Sequence, residues 1–409
     1  MRFSYTRRLL RFCLCLLNFC LLPFGFCLSA RAQVRLGIDV LRDSGYAEVK
    51  GKRIGLVTNQ TGTDAARELD RVLLHHAPGV QLVALFTPEH GLEGTELAGK
   101  YVASRKDTLT GLTAYSLYGA TRKPTVIMLR GIDALVFDLQ DIGARSYTYL
   151  ATMGRCMQAC AENKIEFIVL DRPDPLGGER VEGPGVGPGG INFTAPYPVP
   201  YVYGLTAGEL ARMINAKQWM GPPCKLTVVP MKGWRRNMLW ADTGLPWVRS
   251  SPNIPRGDSP LYYVATGLVG DITGPELGIG TDVPFQRMSA PYLDADQFTN
   301  TLRGAGLAGI TFSPYRGGGN EGANVHLDDH AAGNLTALNV HMIAAMYKAS
   351  GGKLFSKLPG GVNADLRATY GSASLQRMTE AGVPPAKIIE GWTAEVESFR
   401  RERQPFLLY

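Results

Sequence analysis

The chain has 409 residues, 45% of them hydrophobic, which is enough to bury a large core and too apolar for an intrinsically disordered protein. Its formal net charge is +7, but residues 1–32 hold five arginines and no acidic residue, so the rest of the chain carries only +7 − 5 = +2. A nearly neutral body without a basic stripe argues against nucleic acid and anionic membranes as partners. The length predicts two domains, or one domain with a sizeable extension.

The first 32 residues have the composition of an export signal. Four arginines precede an apolar run over residues 12–28, and Ala30-Arg31-Ala32 resembles a small-residue cleavage site. Cys27 follows Phe26 instead of the small residue that lipid attachment requires. We therefore predict a signal peptide over residues 1–32 and a periplasmic or secreted protein without a stable membrane anchor. The sequence leaves open whether export uses the general or the twin-arginine route.

The next segment predicts a βαβ unit. Residues 54–57 form an apolar strand, a polar turn follows at 58–62, and Leu69, Val72 and Leu73 have helical spacing before a second apolar strand at 83–86. The turn lacks the spaced glycines and the downstream acidic residue of a dinucleotide site. We therefore predict no nucleotide and no other cofactor.

The strand at 83–86 ends in residues suited to chemistry. Pro88 and Gly91 terminate it, and Glu89 and His90 lie between them. In open α/β sheets the carboxyl ends of the strands are where ligands bind. We therefore expect a reaction centre at Glu89.

Two later strands end in the same way. An apolar strand at 134–137 is followed by Asp138, Gln140 and Asp141, and another at 167–170 is followed by Asp171 and Arg172. If the sheet is parallel, these tips converge with that of Glu89. Crowded carboxyl groups can hold one acid protonated while another stays ionised, and glycoside hydrolysis uses such a pair directly.

The rest of the chain predicts further α/β structure. Thr206 and Glu209 form a capping box at a helix start, residues 226–229 predict a strand, and helices are expected over 294–303, 337–347 and 388–401. We place a domain boundary near residue 256, giving a Rossmann-like domain over 33–256 and a smaller α/β domain over 257–409. The apolar end, Phe406-Leu407-Leu408-Tyr409, predicts a docked terminus.

Other chemistries find little support. His326 and His330 could hold a metal on a helix, but the glycines around them favour a loop, so we predict no metal site. Cys156 and Cys160 lie one turn apart on a predicted helix and are expected to be packed thiols. The chain has no nucleophile elbow, P-loop or Cys-x-x-Cys pair.

Eight ordered motifs resemble those of the bacterial exo-β-N-acetylmuramidase family, formerly a family of unknown function. They are TNQTG at 58–62, PEHG at 88–91, DLQDIGAR at 138–145, DRP at 171–173, VEGP at 181–184, GLTAGEL at 204–210, SPNIP at 251–255 and LLY at 407–409. The resemblance spans nearly all of the mature chain. It implies a Rossmann-like domain without a nucleotide, a smaller C-terminal domain, a cleft between them, Glu89 as the acid/base, and release of N-acetylmuramic acid from non-reducing ends of peptidoglycan fragments.

These considerations give a set of candidate site residues. The predicted catalytic carboxyl groups are Glu89, Asp138, Asp141 and Glu182. The predicted sugar-binding residues are Asn59, His90, Gln140, Arg145, Asp171, Arg172 and Tyr203. Tyrosines at 147, 149, 197, 201 and 203 could stack on sugar faces. Peptidoglycan-derived sugars are the expected partners.

Two departures from the family pattern concern the substrate. Val202-Tyr203 stands where members often have Arg-His, and Ile279 stands where they often have Arg. A muramic sugar carries a lactyl carboxylate that a cation should bind, and Arg145, Arg172 and Arg249 are the candidate replacements. Three alternatives therefore stay open: a preference for N-acetylglucosamine, a sugar-binding protein that no longer cleaves, and cleavage by elimination.

Overall fold

The computed structural model describes residues 33–331, 333–355 and 361–409, and the predicted signal peptide lies outside these ranges. Residues 33–409 form one compact unit. The division into two domains near residue 256 stays a prediction.

A seven-stranded sheet organises the first half of this unit, in the order β3-β4-β2-β1-β5-β6-β7. Its strands are β1 Arg53–Thr58, β2 Gln81–Thr87, β3 Arg105–Lys106, β4 Thr113–Ser116, β5 Ala134–Asp138, β6 Glu166–Leu170 and β7 Leu226–Val229. All pairings are parallel except that of β3 with β4. Without the short β3, the order matches that of a Rossmann-like sheet, so the predicted fold class is confirmed.

Helices cover both faces of this sheet because its central strands are buried on both sides. Along β1, Val57 packs into one hydrophobic cluster, whereas Ile54 and Leu56 pack into the other. The helices of this half are α1 Gly37–Asp43, α2 Asp70–His76, α3 Tyr149–Asn163 and α4 Ala207–Lys217. The predicted strands and helices of this region are confirmed, with ends shifted by a few residues. Cys156 and Cys160 are buried free thiols on α3, as expected.

The capping box of α4 is present. The Thr206 hydroxyl accepts a hydrogen bond from the Glu209 N–H at 3.2 Å, and Glu209 Oε2 accepts one from the Thr206 N–H at 3.0 Å. The same hydroxyl donates to Asp171 Oδ2 at 2.7 Å, which ties the helix start to the tip of β6.

Replacing this cap should destabilise the protein measurably. We expect Thr206→Ala to lower the free energy of unfolding by about 1–2 kcal/mol, the usual cost of losing a helix cap. Thr301→Ala, at an exposed site within a helix, is the matched control and should change it by less than about 0.5 kcal/mol. Urea unfolding measures both, and equal values for the two variants would contradict the role assigned to Thr206.

The second half is built around a three-stranded antiparallel sheet in the order β8-β10-β9. Its strands are β8 Arg287–Ala290, β9 Ile310–Gly317 and β10 Asn320–Leu327, and its helices are α5 Ser259–Thr266, α6 Ala295–Arg303, α7 Leu335–Ala349, α8 Ala364–Tyr370, α9 Ser374–Glu380, α10 Pro385–Glu390 and α11 Thr393–Glu402. A short 3₁₀ helix, Gly267–Asp271, follows α5. The prediction of one helix over 388–401 is wrong, because Gly391 ends α10 and α11 begins at Thr393.

The C-terminus is docked, as predicted. The Tyr409 hydroxyl donates to Asp171 Oδ2 at 2.7 Å and accepts from the Met231 N–H at 2.8 Å. Trp234 packs edge-on against the same ring. Within the described ranges, no helix combines the length and apolar character needed to cross a bilayer.

Candidate active site

Glu89 lies two residues beyond the end of β2 and is fixed by hydrogen bonds to both carboxyl oxygens. The Gly99 N–H donates to Oε1 at 2.6 Å, and the Thr148 hydroxyl donates to Oε2 at 2.6 Å. Thr148 precedes α3, so the carboxyl group is held between the loop that follows β2 and the start of that helix. Its position is therefore set by the fold and does not depend on a bound ligand.

The loop that carries Glu89 is strained at its next residue. His90 has φ of +68°, a left-handed conformation that non-glycine residues seldom adopt, and Gly91 follows with φ of +74°. The His90 Nδ1 atom lies 2.7 Å from the Glu96 carbonyl oxygen, a contact that fixes the imidazole against its own loop. Backbone strain of this kind is concentrated at functional sites.

Glu89 and His90 line a cavity of about 510 Å³. The cavity is lined by residues that precede and residues that follow residue 256 in the chain. Many of them carry hydroxyl or carboxyl groups. Its polar lining residues are Glu89, His90, Tyr118, Ser146, Tyr147, Thr148, Thr194, Ser251, Asn253, Tyr263, Asp271, Asp365 and Thr369. No lysine or arginine is among the described residues that line it. A space of this size accommodates a small ligand such as a sugar.

Asp271 is a cavity residue that sequence reasoning missed. It is the last residue of the 3₁₀ helix after α5. Its Oδ2 atom is buried and has no hydrogen-bond partner among the residues that the structure describes. Burial raises its pKa to about 7, although a hydrogen bond with Thr369 acts in the opposite direction. The glycine-rich sequence around it gave no signal of a site, because no predicted strand ends there.

A cation lies at the edge of the cavity. The guanidinium carbon of Arg122 is 3.4 Å from the ring centroid of Tyr118 and 4.7 Å from that of Phe193. Tyr118 lines the cavity, and Thr194, next to Phe193 in the chain, also lines it. Burial and the nearby Glu89 raise the pKa of the Tyr118 hydroxyl, whereas Arg122 lowers it. The exposed Arg122 side chain therefore packs against a residue of the cavity wall, Tyr118, without lining the cavity itself.

Asp138 and Arg172 form a buried ion pair away from the Glu89 cavity. Arg172 Nε donates to Asp138 Oδ1, and its NH2 group donates to the Thr63 carbonyl at 2.7 Å. Burial, together with Asp138, raises the pKa of Asp70 well above its usual range. Burial also raises the pKa of Asp138, although Arg172 acts against it. The space beside Arg172 is only about 10 Å³, the size of one water molecule.

Asp141, Tyr203 and Gln140 belong to a packed hydrogen-bond network. The Tyr203 hydroxyl donates to Asp141 Oδ2 at 2.7 Å, and burial raises the pKa of Asp141 to about 7. Gln140 Nε2 donates to the carbonyls of Asp141 and Pro173 at 2.8 and 2.9 Å. None of these three residues is among the described residues that line the Glu89 cavity.

Asn59 lies in the turn after β1 and is fully buried. Its Nδ2 atom donates to the Tyr149 hydroxyl at 2.9 Å, and that hydroxyl donates to the Ser250 carbonyl at 2.6 Å. Ser250 precedes Ser251, which lines the cavity. Asn59 therefore positions the cavity wall from behind.

Arg145 and Asp171 hold chain segments together. The two terminal nitrogens of Arg145 donate to four backbone carbonyls, those of Pro184, Val199, Thr369 and Tyr370. Burial lowers the pKa of this arginine to about 10. Asp171 accepts from the Gly208 N–H at 2.8 Å and from the hydroxyls of Thr206 and Tyr409. Both geometries are those of structural anchors.

Glu182 lines a different cavity, of about 680 Å³. Its Oε1 atom pairs with Arg180, and its Oε2 atom accepts from the Thr336 N–H at 3.0 Å at the start of α7. The structure thus brings together Glu89 and His90 of the predicted site and places Asp138, Asp141 and Glu182 elsewhere. Among the described residues, no cluster of three or more His, Cys, Asp or Glu side chains is arranged to hold a metal ion.

Two models of one protein family match successive parts of the chain. The family models described as "Exo-beta-N-acetylmuramidase NamZ, N-terminal" and "C-terminal" match residues 54–258 and 261–409. The chain belongs to this family. The family resemblance found in the sequence is therefore confirmed, and the chain is a member of a glycoside hydrolase family.

Similar proteins match nearly the whole chain. The peptidoglycan β-N-acetylmuramidase NamZ of Bacillus subtilis (strain 168) is 37% identical over 388 residues, which cover 93% of this chain and 92% of that protein. A crystal structure of a DUF1343 family protein from Bacteroides fragilis has a TM-score of 0.85 at 38% identity and covers 93% of this chain and 100% of its own. A second from the same organism has a TM-score of 0.70 at 27% identity, covering 92% and 99%.

Proposed function

We propose that this chain is an exported, exo-acting glycosidase that releases N-acetylmuramic acid from the non-reducing ends of peptidoglycan fragments. The observation that carries the proposal is the Glu89 carboxyl group, fixed through both oxygens in a cavity of about 510 Å³. Membership of the NamZ family and the 37% identity to the Bacillus subtilis muramidase support it. Export rests on the predicted signal peptide and would be tested by the N-terminus of the mature protein.

The chemistry of the cavity fits a sugar. Its hydroxyl groups can hydrogen-bond to ring substituents, and the aromatic rings of Tyr118, Tyr147 and Tyr263 provide faces against which a pyranose can stack. Glycoside cleavage needs a carboxyl group within reach of the anomeric centre, either to move a proton or to stabilise the developing positive charge. Glu89 is the family-motif carboxyl that lines this space.

A direct test compares chromogenic N-acetylmuramic acid and N-acetylglucosamine glycosides. The proposal expects a higher kcat/KM for the muramic glycoside and release of one sugar at a time from muramic-terminated fragments. A higher kcat/KM for the glucosamine glycoside would show that N-acetylglucosamine, and not N-acetylmuramic acid, is the preferred sugar. Binding of muramic fragments in calorimetry without any product would support the sugar-binding alternative instead.

Specificity for muramic acid requires a partner for its lactyl carboxylate, and we propose Arg122. Arg145 and Arg172 are committed to backbone carbonyls and to Asp138, so they are poorly placed to bind it. Arg122 is instead exposed and held by stacking on Tyr118 at the rim of the cavity. A charge-assisted hydrogen bond from this guanidinium would identify the muramic sugar.

Removing this charge should affect one substrate only. We expect Arg122→Met to lower kcat/KM for the muramic glycoside by about 10- to 100-fold, the equivalent of one hydrogen bond to a charged group. The value for the glucosamine glycoside should change little. Arg249→Met, another exposed arginine and a candidate from the sequence, is the matched control. A selective loss in Arg249→Met with none in Arg122→Met would transfer the role to Arg249.

A further inference from the structure

Besides Glu89, two carboxyl groups outside the family motifs line the cavity, the buried Asp271 and the exposed Asp365. Asp271 comes from the 3₁₀ helix after α5, which follows residue 256 in the chain, whereas Glu89 precedes residue 256. Both residues line the same cavity. The carboxyl groups predicted from the strand tips, Asp138 and Asp141, lie outside it. Glycosidases of the usual two-carboxyl type need a second acid across the substrate from the first.

Glu89 and Asp271 are held differently. Glu89 accepts hydrogen bonds at both oxygens, from Gly99 and Thr148. Asp271 has Thr369 as its hydrogen-bonding neighbour, and its buried Oδ2 atom has no partner in the described protein. A buried polar atom without a partner is costly, so a position that keeps one is a candidate for contact with a ligand. Because Asp271 lines the cavity, its protonated carboxyl group could donate to a glycosidic oxygen there.

The charges around Asp271 also favour its protonated form. Asp365, an exposed carboxylate at the start of α8, faces it and repels a second negative charge. The neighbouring side chains of Tyr201 and Tyr263 are phenols, which supply no positive charge to stabilise an ionised Asp271. No lysine or arginine is among the described residues that line the cavity. Burial raises the pKa of Asp271 to about 7, so much of it carries a proton at neutral pH.

We propose that Asp271 is the proton donor of the reaction, with Glu89 as the carboxylate that acts at the anomeric carbon or on the attacking water. This inference rests on the proposed function. The Asp271 proton passes to the glycosidic oxygen while the bond from C1 to that oxygen breaks, and the electron pair of the bond stays on the oxygen. One water molecule supplies the hydroxyl group that ends on C1 and the proton that replaces the one given by Asp271.

The leaving group of the substrate provides the test, because a good leaving group needs little protonation. Asp271→Asn should lower kcat by about 100-fold or more on a glycan leaving group, and by less than about 10-fold on a dinitrophenyl glycoside of the same sugar. Retained activity on the dinitrophenyl glycoside shows that the variant is folded. Equal losses on both substrates, or no loss on either, would overturn the assignment.

The pH profile is a second, independent readout. Wild-type kcat/KM on the glycan should fall as the pH rises through about 7, because the donor loses its proton there. Asp271→Asn should lose this limb, and Asp271→Glu should restore one. Asp174→Asn is the matched control, since Asp174 is also buried, also has an unpartnered Oδ2 and has a pKa raised by burial to about 8, but does not line the cavity. It should keep the wild-type profile.

The two hypotheses fail in different ways. If wild-type protein cleaves neither muramic nor glucosamine glycosides, the proposed function is wrong. If wild type cleaves and Asp271→Asn keeps the alkaline limb, only the role of Asp271 is wrong.

Discussion

Replacing Glu89 with glutamine is expected to reduce kcat/KM for the muramic glycoside by about 100-fold or more, the usual scale for removing an acid or base. The substitution keeps the shape. The glutamine carbonyl oxygen can still accept from the Gly99 N–H, and its NH2 group can donate to the Thr148 hydroxyl, which reverses that bond, but the ionisable group is removed. The loss should be large for both glycan and dinitrophenyl leaving groups, in contrast to that expected for Asp271→Asn. Steady-state kinetics on purified protein measures it.

Glu96 offers a matched control for this experiment. It lies on the same loop, is exposed and does not line the Glu89 cavity. Glu96→Gln should leave turnover within about 2-fold of wild type, the scale of a surface substitution that leaves the reacting groups in place. Full activity in Glu89→Gln would exclude from the mechanism the one motif carboxyl that is among the described residues lining this cavity, and would contradict the role proposed for Glu89.

Replacing Arg172 with methionine is expected to lower the free energy of unfolding by about 3–5 kcal/mol. Arg172 and Asp138 are almost completely buried, with side-chain exposures of 4% and 0%. Removing the guanidinium would leave the Asp138 carboxyl beside Asp70 without a compensating charge. Guanidinium chloride unfolding measures the loss.

An exposed ion pair sets the scale for comparison. Arg256 pairs with Asp258 at 3.0 Å on the surface, and Arg256→Met should cost less than about 1 kcal/mol. A similar small cost for Arg172→Met would contradict the structural role. Loss of turnover without loss of stability would instead support the sequence-based assignment of Arg172 to sugar binding.

The positions of the parallel strands could be predicted because each is a short apolar run ending in a breaker. Residues 54–57, 83–86, 134–137 and 167–170 all form central strands of the sheet. Glu89 could be found for the same reason, since Pro88 and Gly91 mark where β2 ends and its loop begins.

Which polar side chains at the strand tips are structural anchors and which line the cavity could not be predicted. Neighbouring tips do converge, but their partners come from distant parts of the chain. Asp138 pairs with Arg172, 34 residues away, and Asp171 binds Tyr409, 238 residues away. Sequence spacing contains no information about such pairings, so structural anchors and reacting groups have the same appearance in it.

Asp271 illustrates the opposite error. It follows α5 in a glycine-rich stretch without any strand, so the rule that sites lie at strand ends overlooks it. It lies near Glu89 because the cavity is lined by residues from both halves of the chain.

The mass of the sugar released from a muramic-terminated peptidoglycan fragment in ¹⁸O-labelled water tests the central claim most directly. The account predicts free N-acetylmuramic acid that carries one ¹⁸O atom from solvent, with the remaining fragment shortened by one sugar. A product lacking the mass of one water would indicate elimination. No released sugar from either muramic- or glucosamine-terminated fragments would contradict the assignment of this chain as a glycosidase.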